Sequence, residues 1–377
     1  MTSDRARNLT LDFVQATEST CWTFLTLTTE DGLIGLGEAT LFGAEALLAE
    51  GLTKLRRRAL ALPRTEPQAL QAPTSFARLA DAALHSALDQ ALWDVASQRS
   101  GLPLAFAIGG VRRASVPVYA NINRRTRERS PAGFAASALA AVNAGFGAIK
   151  IAPFDEVDEA ARESGGALTA ARAGLERIAA VSEATAARAE LYVDCHWRFD
   201  AKAADSLLRD CASLGVTWFE CPIPETERAI PAIRSLRAAA NHLGMRLAGG
   251  ERLSGLSGFL PFVDGGAYDV MMPDIKHVGG IAEMLRIAER MAARGVAFSP
   301  HNPSGPVAHA ASLHLSAAAP AIDRLELQWD ESALFSALAV PPLPDPREGL
   351  VEVPLGRPGL GIALDHALAA RYARLPQ

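Results

Sequence analysis

The chain has 377 residues, 49% of them apolar and 21% charged, which suits a soluble globular enzyme of one large and one smaller domain and excludes a fibre or a disordered tail. A net charge of −5 with no basic run interleaved with aromatics argues against a nucleic-acid partner. No stretch of 18 uncharged apolar residues exists, the first ten residues carry Asp4, Arg5 and Arg7, and Cys21, Cys195, Cys211 and Cys221 show no CxxC spacing, so no membrane span, no signal peptide and reduced thiols in a cytoplasmic protein are expected.

The first 115 residues read as an α+β unit. Trp22 to Thr28 alternates and is rich in Thr, Phe and Leu, Glu30-Asp31-Gly32 makes a turn, and Leu33 to Ala39 returns as a second strand. From Phe76 to Gln98 apolar residues recur at spacings of three and four, a helix that Gly101 and Pro103 stop. After Val116 the rhythm changes. Short β-like runs (Val116–Ala120, Ala148–Ala152, Leu191–Val193, Val216–Phe219, Arg246–Ala248, Tyr268–Met272, Val296–Phe298 and Ile322–Leu327) alternate with Ala-rich helical segments such as Leu168–Ala189 and Ile281–Arg294. Eight strands with helical connections predict an α/β barrel of the TIM type, (β/α)7β in form, over 116–329; no GxGxxG follows any strand to favour a doubly wound sheet. The Pro-rich remainder, 330–377, is expected to pack back on the N-terminal cap.

Each repeat ends its strand with one acid or base: Lys150, Asp194, Glu220, Glu251, Asp274, His301 and Glu326. The gaps are 44, 26, 31, 23, 27 and 25 residues, the lengths of strand–helix repeats. A single carboxylate after a strand is most often a helix cap. Seven titratable groups in succession, on strands whose C-terminal ends gather on one face of a barrel, predict one pocket. Asp194, Glu220 and Glu251 would repel one another there unless a hard divalent cation such as Mg²⁺ sat among them. Cys195 and Cys221 directly follow two of these carboxylates, so they should point to the opposite face of their strands, towards the helices.

The residues at this point resemble the enolase superfamily, and within it the mandelate racemase-like branch, over almost the whole chain. The resemblance is carried by Gly37-Glu38-Ala39, by Ala87 to Asp94 with Gly109-Gly110, and by Gly145 to Lys150. It continues through Phe219-Glu220-Cys221-Pro222, Gly249-Gly250-Glu251-Arg252, Pro273 to Ile281 and Ser299 to Pro306. It implies Mg²⁺ bound by Asp194, Glu220 and Glu251, and an Asp274–His301 acid–base dyad. His301 would remove the proton α to a substrate carboxylate, with Lys150 and a protonated, hydrogen-bond-donating Glu326 stabilising the enediolate.

Two departures shape the expected reaction. Many members of the branch carry a second Lys two positions after the first; here Ala152 stands there, which argues against simple racemisation. His196, two residues past Asp194, should face the same pocket by strand periodicity and is similar to the general acid of the branch's sugar-acid dehydratases. The expected activity is therefore dehydration of an acid sugar, an aldonate or aldarate, by a Mg²⁺-dependent hydro-lyase. A racemase, epimerase or cycloisomerase using Lys276 or Lys150 as second base, and a non-catalytic sugar-acid binder, are the alternatives. Asn121, Asn123, Arg124, Lys276 and Trp329 are candidate substrate contacts, the 153–170 connection a candidate lid, and the cap loops near 14–22 and 40–50 candidate specificity elements. A homo-oligomer is expected.

Overall fold

The computed structural model describes residues 4–375 apart from 72 and 74. The N-terminal cap is a three-stranded antiparallel meander, β1 (Ala6–Gln15), β2 (Cys21–Thr29) and β3 (Ile34–Glu38), covered by helices α1 (Glu45–Leu60) and α2 (Leu79–Ser100). The β2–β3 hairpin is the one expected from the sequence. The reading missed β1, whose half-buried edge position leaves it with little alternation. Helix α2 is buried along most of its length because it lies between the cap sheet and the barrel, and Gly101 ends it in the left-handed conformation.

Eight parallel strands follow: β4 (Ser115–Asn121), β5 (Ala148–Ile151), β6 (Glu190–Asp194), β7 (Val216–Glu220), β8 (Arg246–Gly249), β9 (Val270–Met271), β10 (Ala297–Phe298) and β11 (Leu325–Gln328). Their ladder runs β10-β9-β8-β7-β6-β5-β4-β11. The seam between β10 and β11 is closed by backbone bonds from Asp323 N–H to Phe298 O (2.8 Å) and Glu326 N–H to Pro300 O (3.2 Å). Each of the seven βα connections contains a helix of 10 to 14 residues. The protein is a capped TIM-type barrel. Strands β9 and β10 are shorter than expected, and the 168–189 helix is broken into Ala167–Ala170 and Arg172–Thr185.

The C-terminal segment touches both units. Strand β13 (Leu350–Glu352), which follows the short β12 (Ala339–Val340), pairs antiparallel with the start of β4, whereas Tyr372 O and Arg374 N–H bond to Gln15 and Phe13 of the cap. Polar residues of α2 fix the cap to the barrel. Asp89 accepts from Ile281 N–H at 2.7 Å, Asp94 accepts from Leu36 and Leu360 N–H, and the Gln90 amide nitrogen reaches Ile275 O.

Candidate active site

Period-two alternation builds the site in two layers. In the lower layer Tyr119, Ala148, Tyr192, Trp218, Ala248, Val270 and Met272 meet inside the barrel, with Tyr192 stacked on Trp218 at 4.6 Å between ring centroids. Two residues further along their strands stand Asn121, Lys150, Asp194, Glu220 and Asp274, all buried. The aromatic floor keeps water out from below and so strengthens every charge interaction above it. Above it opens a cavity of about 410 Å³ lined by Asn121, Asn123, Arg124, Lys150, Asp194, His196, Glu251, Asp274, Lys276, His277 and His301, with Thr40, Leu41 and Phe42 reaching in from the cap.

Asp194 and Glu220 are register partners on adjacent strands, and each can offer an oxygen to one centre. Burial pushes Glu220 up to about 8, with Asp194 and Glu326 adding to the effect. Burial, Asp194 and Glu220 together hold Glu251 well above the carboxylate range. For Asp194 burial acts in the same direction, but the His196 imidazole 2.7 Å away and Lys150 outweigh it and bring the group to about 2. Glu251 Oε2 is buried without a hydrogen-bond partner, with His301 Nε2 3.4 Å away. Crowded acids with an orphaned oxygen fit a cation. The Cys221 sulfur lies within 4.8 Å of the Asp194 and Glu220 oxygens, and burial raises its thiol well above its ordinary value, so a hard cation is better served by the carboxylates. Cys195 is buried in the main core, as the alternation requires, but Cys221 departs from it: it follows the end of β7 in left-handed backbone (φ 45°), and its sulfur stands beside the two carboxylates.

Lys150 Nζ sits between Glu220 Oε1 (2.7 Å) and Glu326 Oε1 (2.8 Å). Burial disfavours its charge, yet the two glutamates overcome this and keep it a cation. Glu326 is the second carboxylate beside Lys150. It accepts from Lys150, from Asn121 Nδ2 at 2.6 Å and from Asn302 N–H at 3.0 Å, and despite burial these donors hold it below its ordinary value. In this arrangement Glu326 accepts from its neighbours and holds the Lys150 ammonium in place.

His301 Nδ1 lies 2.7 Å from Asp274 Oδ2, the dyad geometry expected, which leaves Nε2 facing the carboxylates. Burial opposes ionisation of Asp274, but Lys276, His277 and His301 drive it far below the usual range. Lys276 Nζ donates to both Asp274 oxygens (3.0 and 2.8 Å) and to Ser304 Oγ, so all three of its protons are engaged. His196 faces the cavity as expected, but not through strand periodicity. Strand β6 ends at Asp194, and His196 and Trp197 take left-handed backbone (φ 48° and 57°) that turns the imidazole back onto Asp194. Asp194 raises His196 above the ordinary imidazole value.

Asn121 and Asn123 line the cavity, and Arg124 does so while bonded to Glu331 Oε2 at 3.3 Å. Trp329 does not line it. Glu326 and Gln328 take the inward positions of β11, and Trp329 packs outside against Phe146 with Arg125 over its ring. None of residues 153–170 reaches the cavity either. Three carbonyls of that connection, those of Phe154, Asp155 and Val157, are pinned by Arg198. Of the two cap loops only the one after β3 contributes lining residues. The sequence reading also missed Asn302, Trp218 and Glu225. Trp218 Nε1 donates to Glu220 Oε2 at 2.8 Å, and Glu225 accepts from Gly250 N–H and the Tyr268 hydroxyl, steadying the turn that carries Glu251. A Cβ on Gly249 would collide with Glu225, and Gly250 (φ 94°) needs left-handed backbone, so the glycine pair is a requirement of that brace.

A barrel whose strand ends bring three carboxylates, a buried lysine and a His–Asp dyad to one capped cavity defines an enzyme of the enolase type. Residues 133–368 match the enolase C-terminal domain-like family, and residues 7–109 match the N-terminal domain of mandelate racemase and muconate lactonizing enzymes. The chain belongs to this family, in the mandelate racemase-like branch. It is 31% identical over 299 residues to D-gluconate dehydratase of Thermoproteus tenax, a match covering 77% of the chain but only 56% of that protein. It is 28% identical over 374 residues to D-galactonate dehydratase of Ralstonia nicotianae, covering 94% and 91%. A solved mandelate racemase/muconate lactonizing enzyme from Sulfitobacter sp. superimposes with a TM-score of 0.84 at 24% identity, covering 98% of this chain and 96% of that one. No described helix is long and apolar enough to cross a membrane.

Proposed function

We propose that this enzyme is a hydro-lyase that dehydrates an acid sugar with the help of Mg²⁺ held by Asp194, Glu220 and Glu251. The observation that carries the reading is the placement of two imidazoles. His301 follows β10 and His196 follows β6, four positions apart in a ring of eight strands, and therefore on opposite walls of one cavity. The bound cation would supply Lewis acidity to the substrate carboxylate. His301, with Nδ1 fixed by Asp274, presents Nε2 to take the proton from the carbon α to that carboxylate. Lys150, held as a cation by two glutamates, opposes the negative charge that then grows on the carboxylate oxygens. His196, its basicity raised by Asp194, would give a proton to the departing β-hydroxyl from the other side, which suits anti elimination. The enol product tautomerises to a 2-keto-3-deoxy acid. The names of the similar dehydratases support this substrate class.

The geometry does not favour a racemase or epimerase. Ala152 leaves no base at its position, Lys150 is a cation between two glutamates, and the Lys276 protons are all bonded. Incubation of the Mg²⁺-loaded protein with D-gluconate, D-galactonate and a wider panel of aldonates and aldarates tests the reading. Keto acid detectable by semicarbazide is expected for at least one; C2 epimer without keto acid would overturn it.

A further inference from the structure

One buried carboxylate of the N-terminal domain takes no part in the chemistry proposed for the cavity. Glu38, the last residue of β3, is fully buried. Its two oxygens accept from the main-chain N–H of Gly305 at 2.7 Å and of Ala308 at 2.8 Å. These partners lie 267 and 270 residues further along the chain, at the start of the helix Pro306–Ala318. The oxygen that holds Gly305 also takes the Thr40 hydroxyl at 2.7 Å.

That helix directly follows the loop that carries His301. The first N–H groups of an α-helix have no internal partner, and the residue before the helix commonly supplies a side-chain oxygen. Gly305 has the extended backbone of such a residue (φ −75°, ψ −178°) but no side chain to offer. A Cβ there would stand 3.1 Å from both Glu38 oxygens and 3.0 Å from Phe24, closer than side chains ordinarily pack. Glu38 occupies the place of the missing side chain, so this barrel helix takes its N-cap from the other domain. The loop 299–305 is held at its start by Ser299 N–H on Met271 O (3.1 Å) and in its middle by Asn302 N–H on Glu326. Its far end is held by Glu38, next to Ser304, whose hydroxyl receives the Lys276 ammonium that binds Asp274.

We propose that Glu38 is a positioning residue for proton abstraction: it serves as the N-cap of the helix Pro306–Ala318 and so sets the His301 loop against Asp274. This rests on His301 as the base and extends that reading across the domain boundary. Thr40 lines the cavity at the start of the loop after β3, so a single Glu38 oxygen fixes the base loop relative to the N-terminal loop that reaches the substrate.

Two measurements test the role, each on Mg²⁺-loaded variants that melt well above the assay temperature. Glu38→Gln keeps the side chain's size but turns a donor towards one of the N–H groups. With the acid sugar the wild type dehydrates best, its kcat for exchange of the α-proton with D₂O should fall about 10–100-fold, the scale of a slightly misplaced reacting group, with KM changed far less. A lowered melting temperature with kcat intact is the signature of a merely structural carboxylate and would overturn the proposal. The second measurement moves the N-cap. Gly305→Ser alone should lose activity, because its Cβ crowds Glu38. In Glu38→Ala that space is free and the serine hydroxyl can accept from Ala308 N–H, so Glu38→Ala/Gly305→Ser should exchange the α-proton faster than Glu38→Ala. Peptide-level hydrogen exchange without substrate should show residues 299–310 less protected in Glu38→Ala and protected again in the double variant. Unchanged protection in Glu38→Ala, or a double variant no faster than the single one, would overturn the proposal and leave the dehydratase reading standing. Lost protection in a protein that turns over no acid sugar would instead overturn that reading, and with it the part given to Glu38 in proton abstraction.

Discussion

The two steps of a dehydration use different histidines on opposite walls, so removing one at a time separates them. His301→Asn should stop exchange of the substrate α-proton with D₂O, with a loss of about 10²–10⁴-fold for a positioned base. Unchanged exchange would remove His301 from that role. His196→Asn should instead preserve exchange and suppress keto acid, because the dyad and the carboxylates remain in place. Dehydration that survives His196→Asn would mean that His301 acts as both base and acid in a syn elimination. At this scale the residue types were legible in the sequence because strand ends in a barrel converge, so spacing alone groups Lys150 through Glu326. Their protonation and direction were not legible. Whether Glu326 donates or accepts is decided by Asn121 and Asn302, one on another strand and one on the loop after β10, and the turn of His196 towards the cavity by two left-handed residues. Trp329 was misplaced because one residue of register decides which face of β11 it takes.

Helix α2 shows how an element can be read correctly and its work missed. Its apolar spacing is plain, but Asp89, Gln90 and Asp94 interrupt the pattern, and their backbone partners lie up to 266 residues away. Asp94→Ala would strand the N–H groups of Leu36 and Leu360, at a cost of about 1–3 kcal/mol for each left unpaired. Denaturant titration reads this directly, and a loss below about 0.5 kcal/mol would show that water replaces the carboxylate. Asp89 accepts the first N–H of the helix Ile281–Ala293, and a Cβ on Gly280 would collide with it, so only glycine fits there. Burial pushes Asp89 up to about 7. Because that value is raised above the unfolded one, the group's contribution is complete below about pH 4 and is lost as pH rises through about 7. The difference in melting temperature between wild type and Asp89→Asn, followed from pH 4 to 8, should therefore move against the wild type as pH increases. A pH-independent difference would mean that Asp89 is ionised in the folded protein throughout.

For the whole molecule the decisive feature is that Asp194, Glu220 and Glu251 come from three neighbouring repeats, β6, β7 and β8. One cation among them would tie together strands whose side chains otherwise repel. The unfolded chain offers no such site, so binding stabilises the fold by mass action, about 2.7 kcal/mol at a free concentration one hundred times Kd. Exhaustive EDTA treatment should abolish turnover, and Mg²⁺ should restore it. The melting temperature of the metal-free protein should climb with added MgCl₂ and continue to rise slowly above Kd, as linkage requires. Glu220→Gln separates ligation from folding. Gln keeps an acceptor for only one of the two donors, the Lys150 ammonium and the Trp218 indole, so the metal-free variant should melt somewhat below the metal-free wild type, and the comparison of interest is the further shift that Mg²⁺ gives each. Having lost a charged ligand, the variant should show little Mg²⁺-dependent rise at concentrations that shift the wild type fully. Turnover that survives EDTA, or a wild-type melting curve indifferent to Mg²⁺, would leave the three carboxylates without a cation to explain their convergence.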